Sequence, residues 1–349
     1  MAINIKIVDG PVNRDILQSI ADTYGKTNSR FRSLDFNDKF FNKNAAGPSY
    51  HALIYDDKKV VGHLAVLPLY IIDRSQLVLS GKGEALYIEE EYRKETINGI
   101  PCALALLSKI HSYAFTKKIV LQHNLAANDV GALYRLNGFK LLLVDRQFFR
   151  FFLQKKSYKN DIVKFIGFQV TKIYQYILQK LSRGFAQILG KSVVNISPPN
   201  EISTDKILTD FTMQASNEKW TISLDENSLN WRKSIGLLKI FYDKSNADSY
   251  LIVTTGKVWE ILHWNLTWKD SKFALQVIND IIEQAENENA REVIVDKKQL
   301  SEVSGVLKFA LIITGFISRS FRTKIFVKSD NKYYCKSENI EFNNLFHFS

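Results

Sequence analysis

The sequence predicts an α/β protein built from two related halves. Three observations carry this. Residues 1–153 alternate runs of period two, the strand pattern, with runs of helical period. After Pro199 the same kind of alternation begins again, and a basic, aromatic segment of helical period lies between. At roughly 100–200 residues per domain, the 349 residues suit two domains, and 46% apolar against 24% charged residues is enough to build their cores. The expected division is 1–153, a basic helical linker over 154–199, and 200–349.

In the first half, "INIKIV" alternates Ile3, Ile5 and Ile7 with polar residues and reads as a strand. In "PVNRDILQSIADTYG", Asn13 suits an N-cap, Ile16, Leu17, Ile20 and Tyr24 share a helical face, and Gly25 can close the helix. "SLDFNDKFFNKNAAGPS" reads as a second short helix and a loop. Three strands follow, "YHALIYD", "KVVGHLAVLPLYIID" and "QLVLSGKGEALYIEEEY", the first two joined by the turn "DDKK" into an antiparallel meander. "IPCALALLSKIHSYAFTKK" has Ala103, Leu107, Ile110 and Ala114 at helical spacing, with Pro101 expected at the first helical position. The strand "KIVLQHN", the helix "NDVGALYRLNGF" and the strand "FKLLLVDRQFFRFFL" complete the half. Asn128 is expected to cap that helix and Gly138 to stop it. The best-formed βαβ portion lies around residues 84–124.

From Gln154 to Lys191 Asp161 is the only acid. The segment reads as a helix packed across two domains, with a membrane-surface amphipathic helix and a nucleic-acid face as the other uses. Beyond Pro199, "SLDENSLNWRKS" starts like a polar helix, and "SYLIVTT", "VWEILHWNLT" and "REVIVD" are strands. "SKFALQVINDIIEQAENENA" places Phe273, Val277, Ile281 and Gln284 on one helical face, and "LKFALIITGFISRSFRTKIFVK" ends the region. Gly138-Phe139 and Gly315-Phe316 occupy matching places in this order, which points to a divergent internal duplication.

The net charge of +11 favours an anionic partner: a nucleotide cofactor, nucleic acid, an anionic glycan or a membrane surface. Cys102 and Cys335 make neither a disulfide framework nor a metal-ligand spacing, so no metal is expected. The start lacks the basic and apolar regions of a signal peptide. "FALIITGFI" falls short of the about 20 residues that a bilayer crossing needs, so the chain reads as cytoplasmic. No Walker loop and no Ser-His-Asp pattern occurs.

The chemistry concentrates in "GEALYIEEEYRKETINGIPCALALL", residues 83 to 107. A strand leads to Arg93 and Lys94, a polar loop holds Asn98, Gly99 and Ile100, and a helix begins. The first turn of a helix has unpaired N–H groups and a partial positive charge, which makes an anion site, and Gly99 lets a phosphate approach the backbone. Further on, Leu133-Tyr134-Arg135-Leu136-Asn137-Gly138-Phe139 matches the pattern Leu-Tyr-x-x-x-Gly-Phe in full.

This arrangement over residues 3–153 resembles the GNAT superfamily of acyl-CoA-dependent N-acyltransferases. The resemblance implies two GNAT-like domains, each a mixed, mainly antiparallel sheet flanked by helices, the second one degenerate. It implies acetyl-CoA, or another acyl-CoA, as cofactor, bound through Tyr87, Ile88, Arg93, Lys94, Asn98, Gly99, Ile100 and Asn128. The loop "RKETINGIP" is about three residues longer than the family's Arg/Gln-x-x-Gly-x-Gly/Ala. By the same resemblance, Glu84, nine residues before Arg93, takes the proton of the acceptor amine, directly or through water. Tyr134 returns a proton to the leaving thiolate; its ordinary pKa of about 10 lies above a thiol's, about 8.5. His123 and Asn124, at the end of a strand beside this site, are placed to touch the acceptor. The other histidines, and Cys102, read as packing residues. The second half lacks the arginine loop, and "LIITGF" has isoleucine where the tyrosine would stand.

The reading is therefore an N-acetyltransferase acting on a primary amine. Its acceptor would be a small molecule or nucleotide-linked amino sugar, as in similar bacterial GNAT proteins of surface-polysaccharide pathways. No DNA partner is expected, and residues 155–191 are the place where a peripheral membrane contact would form. The rival readings are a Fem-like transferase, which takes an aminoacyl group from tRNA, and a non-catalytic GNAT-like binding protein.

Overall fold

The computed structural model describes residues 3–74, 76–125, 130–153, 162–188, 194–196, 219–223, 225–243, 245–297 and 305–340. It is a mixed α/β fold whose strands are mainly antiparallel and flanked by helices. Contacts divide it into one unit of 1–144, 208–235 and 323–347, and a second of 145–207, 236–322 and 348–349. The breaks expected at 153 and 199 differ from this division. Each unit instead takes the end of one strand from the other half of the sequence.

In the first unit, β1 (Ile3–Asp9), β2 (Tyr50–Asp56), β3 (Lys59–Asp73) and β4 (Gln76–Ile88) form the expected meander. Between β1 and β2 lie α1 (Arg14–Thr23), capped by Asn13, and α2 (Leu34–Asn37), capped by Ser33. Tyr24 and Gly25 fall in the 3₁₀ turn after α1 rather than within or at the stop of the helix. The pair β5 (Thr96–Ile97) and β6 (Ile100–Pro101) leads into α3 (Cys102–Thr116). Helix α3 covers Ala52, Ile54 and Val66 with Leu106, Leu107 and Ile110. By alternation, His51 and His63 belong to the opposite face, where Phe41 lies edge-on to both, with ring centroids at 5.1 and 5.9 Å.

Strand β7 (Leu121–Asn124) pairs parallel with β4, as a βαβ crossover requires. Helix α4 (Gly131–Leu136) follows, then β8 (Lys140–Phe152). Asn128 lies outside the described residues, and Val130 stands at the cap position. Gly138 does close α4, at φ +82°.

The second unit holds the long helix α5 (Ile162–Ile188), β9 (Val194–Ile196), β11 (Leu238–Asp243), β12 (Asn246–Thr254) and β13 (Val258–Asn265). The helix α7 (Ser271–Asn287) then crosses over to β14 (Glu292–Asp296), parallel to β13. Helix α8 (Gly305–Ile313) and β15 (Ile317–Lys328) complete the order. The end of β8 pairs with β14 in this unit, and the end of β15 returns to pair with β7 in the first. Strand β10 (Thr221–Ile222) pairs with β3, and α6 (Glu226–Ser234) joins the first unit through Trp231, whose indole donates to the Lys39 carbonyl at 2.9 Å. The sequence reading had no strand at β10 or β11.

Closing bonds align the two Gly-Phe turns. Phe139 N–H donates to the Tyr134 carbonyl at 3.0 Å, and Phe316 N–H donates to the Leu311 carbonyl at 2.9 Å. The residue standing for Tyr134 is therefore Leu311, not the isoleucine expected.

Candidate active site

The site lies in the first unit, where β4 and β7 part. They pair at Ser80↔Leu121, Gly81↔Gln122 and Lys82↔His123. Beyond this, β4 continues to Ile88, still paired with β3 through Gly62↔Ile88 and His63↔Tyr87, but with no β7 partner among the described residues. Gly83 stands at the parting. A Cβ there would lie 2.5 Å from Asn124 Oδ1, so only glycine lets the Asn124 amide sit this close to β4.

Glu84 is the next residue, and it is buried, 8% exposed. Two residues apart on a strand put Lys82 and Glu84 on one face, and their ammonium and carboxylate are in contact. Burial lowers the Lys82 pKa, and the Glu84 charge opposes that shift. The following residue, Ala85, has φ +55° at a break in the β3/β4 register. Its carbonyl accepts from His63 Nδ1 at 3.1 Å, and His63 Nε2 lies 2.9 Å from His51 Nδ1. A carbonyl can only accept, so His63 carries its proton on Nδ1 and takes one from His51 at Nε2. Burial holds His63 neutral, with its pKa down at about 4, and lowers His51 well below its ordinary value.

Tyr134 reaches this region from α4. It is 4% exposed, and its ring stacks on Phe326 at 5.5 Å and lies edge-on to Phe139 at 5.1 Å. Burial first, then the Glu84 charge and Tyr24, raise its pKa well above the phenol value, so its O–H is kept as a donor at neutral pH. Tyr24 is raised to about 12 by burial and by the same carboxylate. His123 is fully buried, and burial followed by the Lys82 charge lowers its pKa to about 3. Its ring centroid is 6.4 Å from that of Trp220. Arg232 of α6, 1% exposed, contributes to the lowering of Lys82.

Of the residues expected here, Glu84, Tyr134, His123 and Asn124 are thus buried around the parting strands. The loop residues are placed otherwise. Arg93, Lys94, Asn98, Gly99 and Ile100 are exposed beyond the end of β4. Asn98 and Gly99, at φ +54° and +78°, are the two turn residues of the β5–β6 hairpin. Two successive positive φ values are the type I′ geometry that Asn-Gly favours, so this dipeptide has a structural cause of its own. Arg93 Nε donates to the Ile88 carbonyl at 3.2 Å, turning back onto β4, where Tyr87 is half-buried and Ile88 buried. Pro101 caps α3 instead of starting it, because it belongs to the hairpin; Cys102 N–H donates to the Glu95 carbonyl at 3.1 Å. No side chain caps the first turn of α3, which leaves the amides of Ala103 and Leu104 as the groups that could meet a phosphate.

The sequence reading missed Lys82, Tyr24 and Arg232. A signal existed for Lys82: in "SGKGEALYI" two charged residues alternate within an otherwise apolar strand. None existed for Arg232, which is 150 residues away. Among the described residues no group of three His, Cys, Asp or Glu side chains is placed to hold a metal ion.

No family model matches the sequence, and no curated protein matches it. Solved structures do match in fold. A GCN5-related N-acetyltransferase from Anabaena variabilis is similar at TM-score 0.51 and 14% identity, covering 95% of this chain and 74% of its own. One from Kribbella flavida gives 0.50 and 11%, with 94% and 71% covered. A conserved protein from Enterococcus faecalis, a probable N-acyltransferase, gives 0.51 and 10%, with 94% and 72% covered. The fold is therefore that of the GCN5-related N-acetyltransferases.

Proposed function

We propose that this protein is an acyl-CoA-dependent N-acyltransferase, with acetyl-CoA as cofactor and one working site, in the first unit. The observation that carries the reading is a buried carboxylate, Glu84, placed where β4 leaves β7, whose charge acts on a buried phenol, Tyr134. Acyl transfer to an amine needs a base for the amine proton and a donor for the leaving thiolate, and these two groups have those capacities.

Their coupling gives an order to the steps. Burial is the main cause that holds the proton on Tyr134, and the Glu84 charge adds to it. Once the carboxylate has taken the amine proton that added part is gone, and the phenol becomes a better donor just as the thiolate leaves. The amine attacks the thioester carbonyl directly. Glu89 N–H donates to the Val61 carbonyl of β3, so the N–H of Ile88, one residue before it, points to the edge that β7 does not pair and would face the thioester. The uncapped first turn of α3, with Arg93 and Lys94 beside it, would take the pyrophosphate, and His123 and Asn124 would line the acceptor side. The second unit repeats the order of meander, crossover helix and parallel strand. It carries Leu311 in place of the phenol, which supports a tandem protein with a degenerate second half.

The acceptor we favour is an amino sugar carried on a nucleotide, in surface-polysaccharide assembly. The net charge of +11 suits so anionic a molecule, and such cofactor and acceptor place the enzyme in the cytoplasm. Calorimetric titration with acetyl-CoA tests the reading. Micromolar binding, weakened about tenfold in Arg93→Ala by loss of a charged contact, is expected; no heat at millimolar acetyl-CoA would remove the proposal.

A further inference from the structure

We propose that α5 docks this protein on an anionic lipid surface, lying in the plane of the headgroups. This goes beyond acyl transfer and does not depend on it. Ile166, Val170, Ile173, Ile177, Leu181 and Ile188 follow one another at helical spacing and are 52–82% exposed. Steps of three, four and seven residues put them on one side of the helix.

The opposite side is the packed one. Phe168, Gln175 and Ser182, seven residues apart, are buried. Gln175 accepts from Phe152 N–H and donates to the Arg150 carbonyl, and Ser182 Oγ accepts from Asn279 of α7 at 2.8 Å. The helix is thus fixed by one face, with its apolar stripe turned outward. Gly167 and Gly184 face open space. A stripe this long on a monomer marks an interaction surface.

Charge selects the occupant. Residues 162–188 contain three lysines and one arginine and no acid, and 154–191 hold eight basic residues against Asp161. Lys172 donates to the carbonyls of Phe152 and Leu153, while Lys180 lies over the Tyr176 ring at 5.5 Å, beside the stripe. A second copy docked through the same helix would set basic residues against basic residues. A nucleic acid would want cations, not Ile and Leu, along the contact. Acidic headgroups would pair with Lys180 and compete with Glu283 for Arg183, which lies 3.7 Å from that carboxylate, and the acyl boundary takes the stripe. Among the described residues no helix is long and apolar enough to cross a membrane, so the helix lies on the surface rather than spanning it.

Cosedimentation of the full chain with vesicles tests this. The probes are phosphatidylcholine alone and phosphatidylcholine with about a third phosphatidylglycerol. Binding is expected to the mixed vesicles only, and to fall as salt rises. The triple variant Ile173→Ser/Ile177→Ser/Leu181→Ser should lose at least about tenfold in partitioning with an unchanged melting temperature, because these side chains are exposed. Lys180→Gln/Arg183→Gln should flatten the salt dependence. Absence of binding to the mixed vesicles, or retention of full binding by the triple variant, overturns the proposal. So does a wild-type dimer in light scattering that the triple variant abolishes, which would make the stripe a contact between copies. Binding of RNA that the triple variant abolishes, with none to vesicles, overturns it too.

Discussion

Acid should unfold the first unit well above the pH at which its carboxylates titrate. His51, His63, His111 and His123 are all buried there, none more than 2% exposed. Burial lowers His63 to about 4 and His111 and His123 to about 3, and lowers His51 in the same direction. In the unfolded chain each would titrate near 6.5. Below that pH the unfolded chain binds protons that the folded one refuses, so stability is complete above about pH 6.5 and falls as pH drops toward the folded pKa values. At pH 5 one such histidine costs about 2 kcal/mol. His63, His111 and His123 together cost about 6 kcal/mol and His51 adds to it, which is comparable to the whole stability of a domain, about 5–15 kcal/mol. Denaturant titrations at pH 7, 6 and 5, followed by circular dichroism, should show the loss, with several protons taken up on unfolding. His111→Gln should lower that uptake by about one proton. Equal stability at pH 7 and pH 5, or histidine resonances of the folded protein titrating near 6.5, would refute the assignment of these side chains as buried and neutral.

Three further outcomes follow from the site and its loop. Tyr134→Phe should lower kcat about 10- to 100-fold and leave acetyl-CoA affinity and melting unchanged, since the ring contacts with Phe139 and Phe326 survive; unaltered turnover would take the proton donor role from Tyr134. Lys82→Met should destabilise by about 3–5 kcal/mol, as removal of one member of a buried ion pair does, and Lys82→Met/Glu84→Gln should recover most of it. A double variant no more stable than the single one in urea would show that the pair is not what holds this point. Gly99→Ala should cost about 1 kcal/mol from backbone strain alone, since open space surrounds the position and φ is +78°; a neutral effect on the denaturation midpoint would deny the hairpin geometry.

The candidate site was legible where local rules determine it. Period two gave β1, apolar runs and the turn between them gave β2 to β4, and the C′ glycine gave the end of α4 and so the position of Tyr134. The hairpin at Asn98-Gly99 was also written in the sequence: Asn-Gly is a hairpin signal in its own right. The boundaries between units were not legible. A strand pattern shows which residues face a core but not which strand lies beside it, and the ends of β8 and β15 differ from other strands only in their partners.

By itself, then, the sequence determined the class of the fold, the meander followed by a crossover helix, the place of Glu84 and Tyr134 and the basic, apolar character of residues 154–191, all consequences of periodicity and turn chemistry within a short window. Tertiary structure alone decided that β4 leaves β7 beside Glu84, that Arg232 and Trp220 from beyond the long helix join the same unit, and that the stripe on α5 is left outward. These are pairings between distant segments, and a residue's own neighbours in sequence carry no record of the partner that burial will bring to it.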